Sequence, residues 1–124
     1  MKEFRAEKGD KVKNSAATEI AVTKELLDDL DRRIVDVVQP LRIVLFGSAA
    51  RGALGPDSDL DILVVVPDGT HRRSAAQRIY RSLFDLGTPK DVVVVTESDV
   101  KNFGTNPSLV IASALEEGRE LYHV

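Results

Sequence analysis

Two short apolar runs with one amphipathic stretch between them constrain the fold of this chain most strongly. The first run covers Asp59 to Val66, and the second covers Asp91 to Thr96 with four consecutive valines. Between them, apolar residues recur at helical spacing from about Arg72 to Leu86. A helix of this length favours a parallel strand pair, because a parallel connection has to cross the sheet. The valine run indicates a strand that is buried on both faces.

The N-terminal half adds another helix and strand. Leucine, isoleucine and valine recur at spacings of three and four from about Thr23 to Val38, which predicts a helix that Pro40 ends. The run from Leu41 to Phe46 is β-branched and apolar and predicts a strand. A single helical turn is expected at Ser48 to Arg51, followed by a loop at Gly52 to Ser58.

The C-terminal part predicts one more helix. It opens at Asn106 and Pro107 and ends at Gly118, after a short turn within Thr96 to Phe103 and before an extended tail at Leu121 and Tyr122. The expected class is α/β (α+β), a small mixed sheet with flanking helices in the order α-β-α-β-α-β-α. Residues 1–18 are polar and are interpreted as a mobile arm before a single domain at 19–124.

Composition narrows the classes of function. With 43% hydrophobic and 30% charged residues among 124, the chain is typical of a globular protein. A net charge of -3 disfavours a long nucleic acid as partner. The absence of cysteine excludes disulfides and thiolate metal sites. No apolar run reaches the ~20 residues of a membrane span, and no signal core stands at the N-terminus, so a cytoplasmic protein is the simplest expectation.

Two aspartates at the start of the second strand are candidate metal ligands. Asp59 and Asp61 are two residues apart, so both carboxylates project from one face, with Cα atoms roughly 7 Å apart. Their repulsion is about 2 to 3 kcal/mol at an effective dielectric constant of ~20, which a cation between them would relieve. Oxygen ligands without thiolate or imidazole favour Mg²⁺ or Mn²⁺.

Asp91 is the third candidate. If the second and third strands are parallel, its carboxylate emerges at the same sheet edge as that of Asp59. Three carboxylates at one edge could hold two ions about 3.5 to 4 Å apart, which is the arrangement of two-metal phosphoryl chemistry.

The segment at Gly47 supplies a candidate phosphate site. Glycine permits close approach of the backbone, a following helical turn presents amides to anions, and the Ser48 hydroxyl can donate to a phosphate oxygen. Arg51 could contact phosphate or form a structural ion pair. Since Gly47 ends the first strand and Asp59 begins the second, contact with one nucleotide requires these two strands to be antiparallel. The sheet is therefore expected to be mixed.

These residues resemble a known family. The stretch Leu45-Phe46-Gly47-Ser48-Ala49-Ala50-Arg51-Gly52 and, five residues later, Ser58-Asp59-Leu60-Asp61 are similar to the minimal nucleotidyltransferase (MNT) branch of the DNA polymerase beta superfamily. The shared pattern is Gly-Ser, ten residues, then Asp-x-Asp, with a later Asp91 before a valine run. The resemblance extends from the helix near Thr23 to the ending around Tyr122.

The resemblance implies roles for each residue. Gly47 and Ser48 would hold the triphosphate of an incoming nucleotide, with ATP as the expected substrate, and Asp59 and Asp61 would bind both divalent ions. Asp91 would complete the catalytic metal site and help to deprotonate the acceptor. Arg51 matches the motif arginine of the family. Small members resemble antitoxins that transfer AMP to a tyrosine of a helical HEPN partner, a toxic ribonuclease.

Other readings stay open at this point. An isolated Asp-x-Asp is more often a solvated turn, and Tyr80 and Phe84 at helical spacing are more often packing residues than a base-stacking site. The same fold could neutralise a partner by stoichiometric docking, with the site used only to bind nucleotide or not at all. Transfer to a small molecule ranks last, because such enzymes usually carry a further acceptor-binding domain. A homo-oligomer is compatible with the sequence.

Overall fold

The computed structural model describes residues 20–21, 23–47, 50, 53–54, 59–103 and 110–124. Its helices and strands follow the chain in the order β1 (Ile20–Ala21), α1 (Lys24–Val38), β2 (Arg42–Phe46), β3 (Ala53–Leu54), β4 (Leu60–Val66), α2 (Arg72–Ser82), a 3-10 turn (Phe84–Leu86), β5 (Lys90–Thr96), α3 (Glu97–Phe103), α4 (Val110–Glu117) and β6 (Arg119–His123).

A four-stranded mixed sheet forms the centre of the fold, in the order β5-β4-β2-β6. Strand β4 pairs parallel with β5 and antiparallel with β2, and β6 pairs antiparallel with β2. The predicted fold class and the predicted strand directions are therefore confirmed. A separate two-stranded sheet joins β1 to β3.

The two faces of the central sheet carry two separate hydrophobic clusters. On one face, α1 and α2 pack against alternate residues of the strands, with Leu30, Ile62 and Ile79 fully buried. On the other face, Leu63 and Val65 of β4 pack with Ala114 of α4. This alternation along β4 decides which side chains reach which face of the sheet.

Local sequence explains where α1 begins and ends. The Thr23 hydroxyl accepts a hydrogen bond from the amide of Leu26 at 3.1 Å, which satisfies one of the unpaired amides of the first turn. Gln39 adopts a left-handed φ of 50° just after the helix, and Pro40 follows. The predicted helix from about Thr23 to Val38 is thus confirmed within one residue.

Four predictions about elements are corrected. Part of the predicted loop at Gly52 to Ser58 is strand β3, because Ala53 and Leu54 pair with β1. The α-helix predicted to reach Leu86 ends at Ser82 and continues as a 3-10 turn. Strand β5 lies at a sheet edge, so its valines are not all buried. Phe84, expected to pack, has 83% of its surface exposed.

Several predictions fall on residues outside the described part of the chain. They are the mobile arm at 1–18, most of the helical turn at Ser48 to Arg51, and the start of the last helix at Asn106 and Pro107. Within the described ranges, no helix is long and apolar enough to cross a membrane.

Candidate active site

Three aspartates lie on one face of the central sheet, at the end of the sheet where β4 and β5 begin. Asp61 of β4 is the register partner of Asp91 of β5, and adjacent strands lie about 4.8 Å apart. Asp59 immediately precedes β4 and, two residues from Asp61, is expected on the same face. Leu60 and Ile62 point to the opposite face and are fully buried. The parallel pairing that the sequence required therefore brings the three predicted aspartates together.

Gly47 lies directly against this group. Strand β2 ends at Phe46, whose register partner is Asp61, so the next residue reaches the carboxylate edge. Gly47 has a φ of +70°, which a residue with a side chain rarely adopts. A Cβ atom at this position would overlap Oδ2 of Asp61 and lie 3.2 Å from its Cγ. The glycine is thus required both by backbone conformation and by the space that Asp61 occupies.

The electrostatics of the group favour a cation. Burial raises the pKa of Asp61 above its ordinary value, and the negative charges of Asp91 and Asp59 raise it further. Asp59 and Asp91 are themselves exposed. Among the ion pairs formed within the described residues, none includes these three aspartates. The repulsion between them is thus not relieved by a cationic side chain in that part of the chain.

The three carboxylates are ligands of the kind that a hard divalent ion prefers, although their oxygen atoms do not point to one common position. All three side chains offer carboxylate oxygens, the ligands that Mg²⁺ and Mn²⁺ prefer. Within the described residues, however, no group of three or more acidic or histidine side chains is placed to hold a metal ion. The register fixes the Cα atoms, whereas side-chain torsions set the positions of the oxygens. Because Asp59 and Asp91 are exposed, packing does not prevent the rotation that coordination requires.

The other two candidates, Ser48 and Arg51, lie outside the described residues, so their phosphate contacts stay predictions. Two cationic residues that sequence reasoning did not single out lie near this edge. Lys90 pairs with Leu60, and Arg119 pairs with Leu45 near the end of β2. Only the position of Lys90 beside Asp91 was visible in the sequence, because the pairing of β6 with β2 joins distant parts of the chain.

Cavities lined by described residues occur at the opposite end of the strands. One is lined by residues that include Gln39 and Thr70, another by Leu41 and His123, and a third by Asp68 and neighbouring residues of α3. These residues flank the start of β2 and the ends of β4, β5 and β6. The carboxylates lie at the other end of the same strands, so these cavities are not part of the candidate site.

A mixed sheet that presents a glycine turn and an Asp-x-Asp strand at one edge defines a phosphoryl-transfer class of site, and comparison with known families agrees. A family model described as a nucleotidyltransferase domain matches residues 23–121, which include Gly47, Asp59, Asp61 and Asp91. This chain belongs to the nucleotidyltransferase domain family. The family is consistent with the polymerase-beta-like superfamily and makes the chain a transferase of nucleotidyl groups. Searches of curated proteins and of solved structures found no match.

Proposed function

We propose that this chain transfers AMP from ATP to a protein hydroxyl, a tyrosine of a HEPN-type helical partner, and so acts as an antitoxin of the minimal nucleotidyltransferase (MNT) type. The observation that carries the proposal is the register of Asp61 with Asp91, with Asp59 two residues before and Gly47 against the Asp61 carboxylate. Nucleotidyl transfer itself follows from the family. The nucleotide, the metal ion and the acceptor are the proposed parts.

The chemistry of transfer assigns a task to each residue. The acceptor hydroxyl oxygen attacks the α-phosphorus, the bond from that phosphorus to the bridging oxygen breaks, and pyrophosphate leaves. The hydroxyl proton passes to the Asp91 carboxylate, which is exposed and lies beside Asp61. Asp59 and Asp61 would hold Mg²⁺ or Mn²⁺, which when bound neutralises charge on the phosphate oxygens. The amides near Gly47, together with the predicted Ser48 and Arg51 contacts, would hold the triphosphate.

The openness of the site supports a large acceptor. Asp59 and Asp91 are exposed, and Asp61 is half-buried between them. A tyrosine on the surface of a folded partner can approach such an edge without entering an enclosed pocket. The resemblance to antitoxins adds the class of partner, a helical HEPN protein.

The direct test combines the full chain, ATP, Mg²⁺ and a cognate HEPN protein, with intact-mass measurement of the partner. We expect the partner to gain one or more AMP units, and the gain to be lost in the Asp59→Ala, Asp61→Ala double variant. Asp68→Asn is the matched control, because Asp68 lies at the opposite edge and binds Ser98 through its carboxylate. No gain with the wild type, or an equal gain with the double variant, contradicts the proposal.

A docking antitoxin without turnover is the second candidate. In that case the fold neutralises the partner by stoichiometric docking, and the site only binds nucleotide or is not used. Titration separates the two functions. Docking is supported if neutralisation of the partner needs equimolar protein and survives loss of both aspartates. Transfer is supported if substoichiometric protein neutralises the partner and needs ATP to do so.

A further inference from the structure

Helix α2 carries a charge opposite to that of the whole chain. Its eleven residues include four arginines and no acidic residue, while the chain has a net charge of -3. Arg72 is neutralised by Asp99 at 3.0 Å, and Arg78 lines a cavity with Asp36. Among the ion pairs within the described residues, none includes Arg73 or Arg81. Both Arg73 and Arg81 are exposed.

These arginines share a surface with exposed aromatic side chains. Arg73, Gln77, Tyr80 and Arg81 lie on the side of α2 away from the buried Ala75 and Ile79, and Phe84 stands in the 3-10 turn that follows the helix. Phe84 is 83% exposed and Tyr80 is 40% exposed. We call this surface the α2 flank and define it by its five members, which are Arg73, Gln77, Tyr80, Arg81 and Phe84. Arginine and aromatic side chains are the residue types enriched in the energetic centres of protein interfaces.

The α2 flank lies beside the strand that carries Asp91. The Tyr80 hydroxyl accepts a hydrogen bond at 2.9 Å from the amide of Val92, the residue after Asp91. The 3-10 turn that contains Phe84 leads into β5 at the edge of the sheet where the aspartates project. The other side of α2 is occupied by α1, where Arg33 donates to the Ser82 carbonyl. The flank therefore faces outward around the β5 edge.

The edge of β5 is partly closed to an added strand. Its Val92 amide donates to Tyr80, and its Thr96 amide donates to the Asp99 carboxylate at 3.0 Å. An extended segment that paired along β5 would have to break both hydrogen bonds. Recognition at this surface therefore depends on side chains rather than on strand addition.

We propose that the α2 flank is the docking surface for the acceptor protein, which it binds through an acidic segment that contains an apolar residue. The apolar residue packs on Phe84, and carboxylates pair with Arg73 and Arg81. This inference rests on the proposed function, since it takes the docked protein to be the acceptor. A nucleic-acid strand fits less well, because the chain as a whole carries a net charge of -3, whereas affinity for a phosphate backbone comes from many basic residues.

The test measures binding and transfer separately, with the full chain. The probe is a fluorescent peptide in which glutamates and leucines flank one tyrosine, and its anisotropy reports binding. We expect Phe84→Ala, and the Arg73→Glu, Arg81→Glu pair, each to weaken binding by about fivefold or more. A peptide with glutamine in place of glutamate should bind weakly to every variant. Phe84 is so exposed that its truncation leaves the fold intact.

Residues of the same chemistry on another helix provide the matched control. Phe103→Ala and Lys101→Glu change an exposed aromatic and an exposed cation on α3, and we expect binding to be unchanged. Loss of binding in this control but not in the α2 variants overturns the proposal. Preference for a single-stranded oligonucleotide, or self-association that Phe84→Ala abolishes, also overturns it. If the peptide binds through the α2 flank but the cognate HEPN protein gains no AMP with ATP and Mg²⁺, the proposed function fails and the docking surface stands.

Discussion

At the scale of single residues, the contact between Gly47 and Asp61 sets the geometry of the site. Gly47→Ala adds a Cβ that meets the Asp61 carboxylate, and the backbone φ of +70° adds strain of about 1–2 kcal/mol. We expect the variant to lose more activity than its stability alone explains, because Asp61 has to move. Chemical denaturation and nucleotidyl-transfer assays at a temperature where both proteins are folded separate the two effects.

Gly87 provides the control for this substitution. It has the same φ of +70°, but a Cβ there meets no atom within 4 Å. Gly87→Ala should therefore show the backbone strain alone, with activity preserved. Equal activity losses in the two variants would mean that strain, rather than displacement of Asp61, controls the site.

The residues of the site were predictable to different degrees. Asp59 and Asp61 follow from strand alternation, and Asp91 follows from the helix that makes its strand parallel to theirs. The contact of Gly47 with Asp61 was not predictable, because it depends on the register of the antiparallel β2–β4 pair. Register depends on the hydrophobic pattern together with the geometry of the connection between the strands, and the sequence of a long connection does not reveal that geometry.

Asp31 is expected to make stability depend on pH. One carboxylate oxygen is buried without a hydrogen-bond partner among the described residues, and burial, with a smaller contribution from Asp28, raises the pKa of Asp31 to about 6. Because the folded-state pKa exceeds the unfolded value, the charged form destabilises the protein above pH ~6. This cost falls as pH decreases through the folded pKa and is absent below the unfolded pKa.

Asp31→Asn should therefore stabilise the protein at pH 8 by about 1–2 kcal/mol, a value reduced for partial solvent exposure, and have little effect near pH 4. Urea denaturation at several pH values measures the difference. Asp36→Asn, an exposed aspartate of the same helix, is the control. A stability gain from Asp31→Asn that does not change with pH would show that the side chain's charge is not the cause.

At the scale of elements, the hydrogen bond from the Val92 amide to the Tyr80 hydroxyl connects α2 to the edge strand β5. Tyr80→Phe keeps the ring and removes the acceptor, so we expect a loss of about 1 kcal/mol in the free energy of unfolding. The Val92 amide should also exchange its hydrogen faster with solvent. Tyr122→Phe is the control, since that hydroxyl makes no hydrogen bond within the described part of the chain. Unchanged exchange at Val92 would show that Tyr80 does not protect the edge.

Elements with strong periodicity or strong stop signals were predictable, and short ones were not. The helical spacing of apolar residues in α1, together with Pro40, predicted the bounds of that helix. The alternation of residues along β4 predicted which side chains point to each face of the sheet. The two-residue strands β1 and β3 were missed, because two residues show no periodicity. The exposure of Phe84 was missed because α2 ends at Ser82, so that a helical pattern no longer describes the turn after it.

At the scale of the whole molecule, the three aspartates link folding to ion binding. Without an ion their repulsion opposes the folded state, so Asp61→Asn should raise the melting temperature in a chelating buffer. A divalent ion that binds only the folded protein stabilises it by about 2.7 kcal/mol at a hundred times its dissociation constant. For a chain of this size, that corresponds to a rise of roughly 8–16 °C in melting temperature.

Thermal unfolding of the full chain with Mg²⁺ and with chelator tests this linkage. We expect Mg²⁺ to raise the melting temperature of the wild type and to have little effect on Asp61→Asn, so the order of stability of the two proteins reverses. Sodium chloride of equal ionic strength is the control for general screening of charge. If Mg²⁺ raises the melting temperature of both proteins equally, the ion binds at another site. If sodium chloride raises the melting temperature by the same amount as Mg²⁺, the effect is general screening of charge. Only reversal specific to Mg²⁺ ties the stability of the fold to the same carboxylates that would hold the ion during transfer.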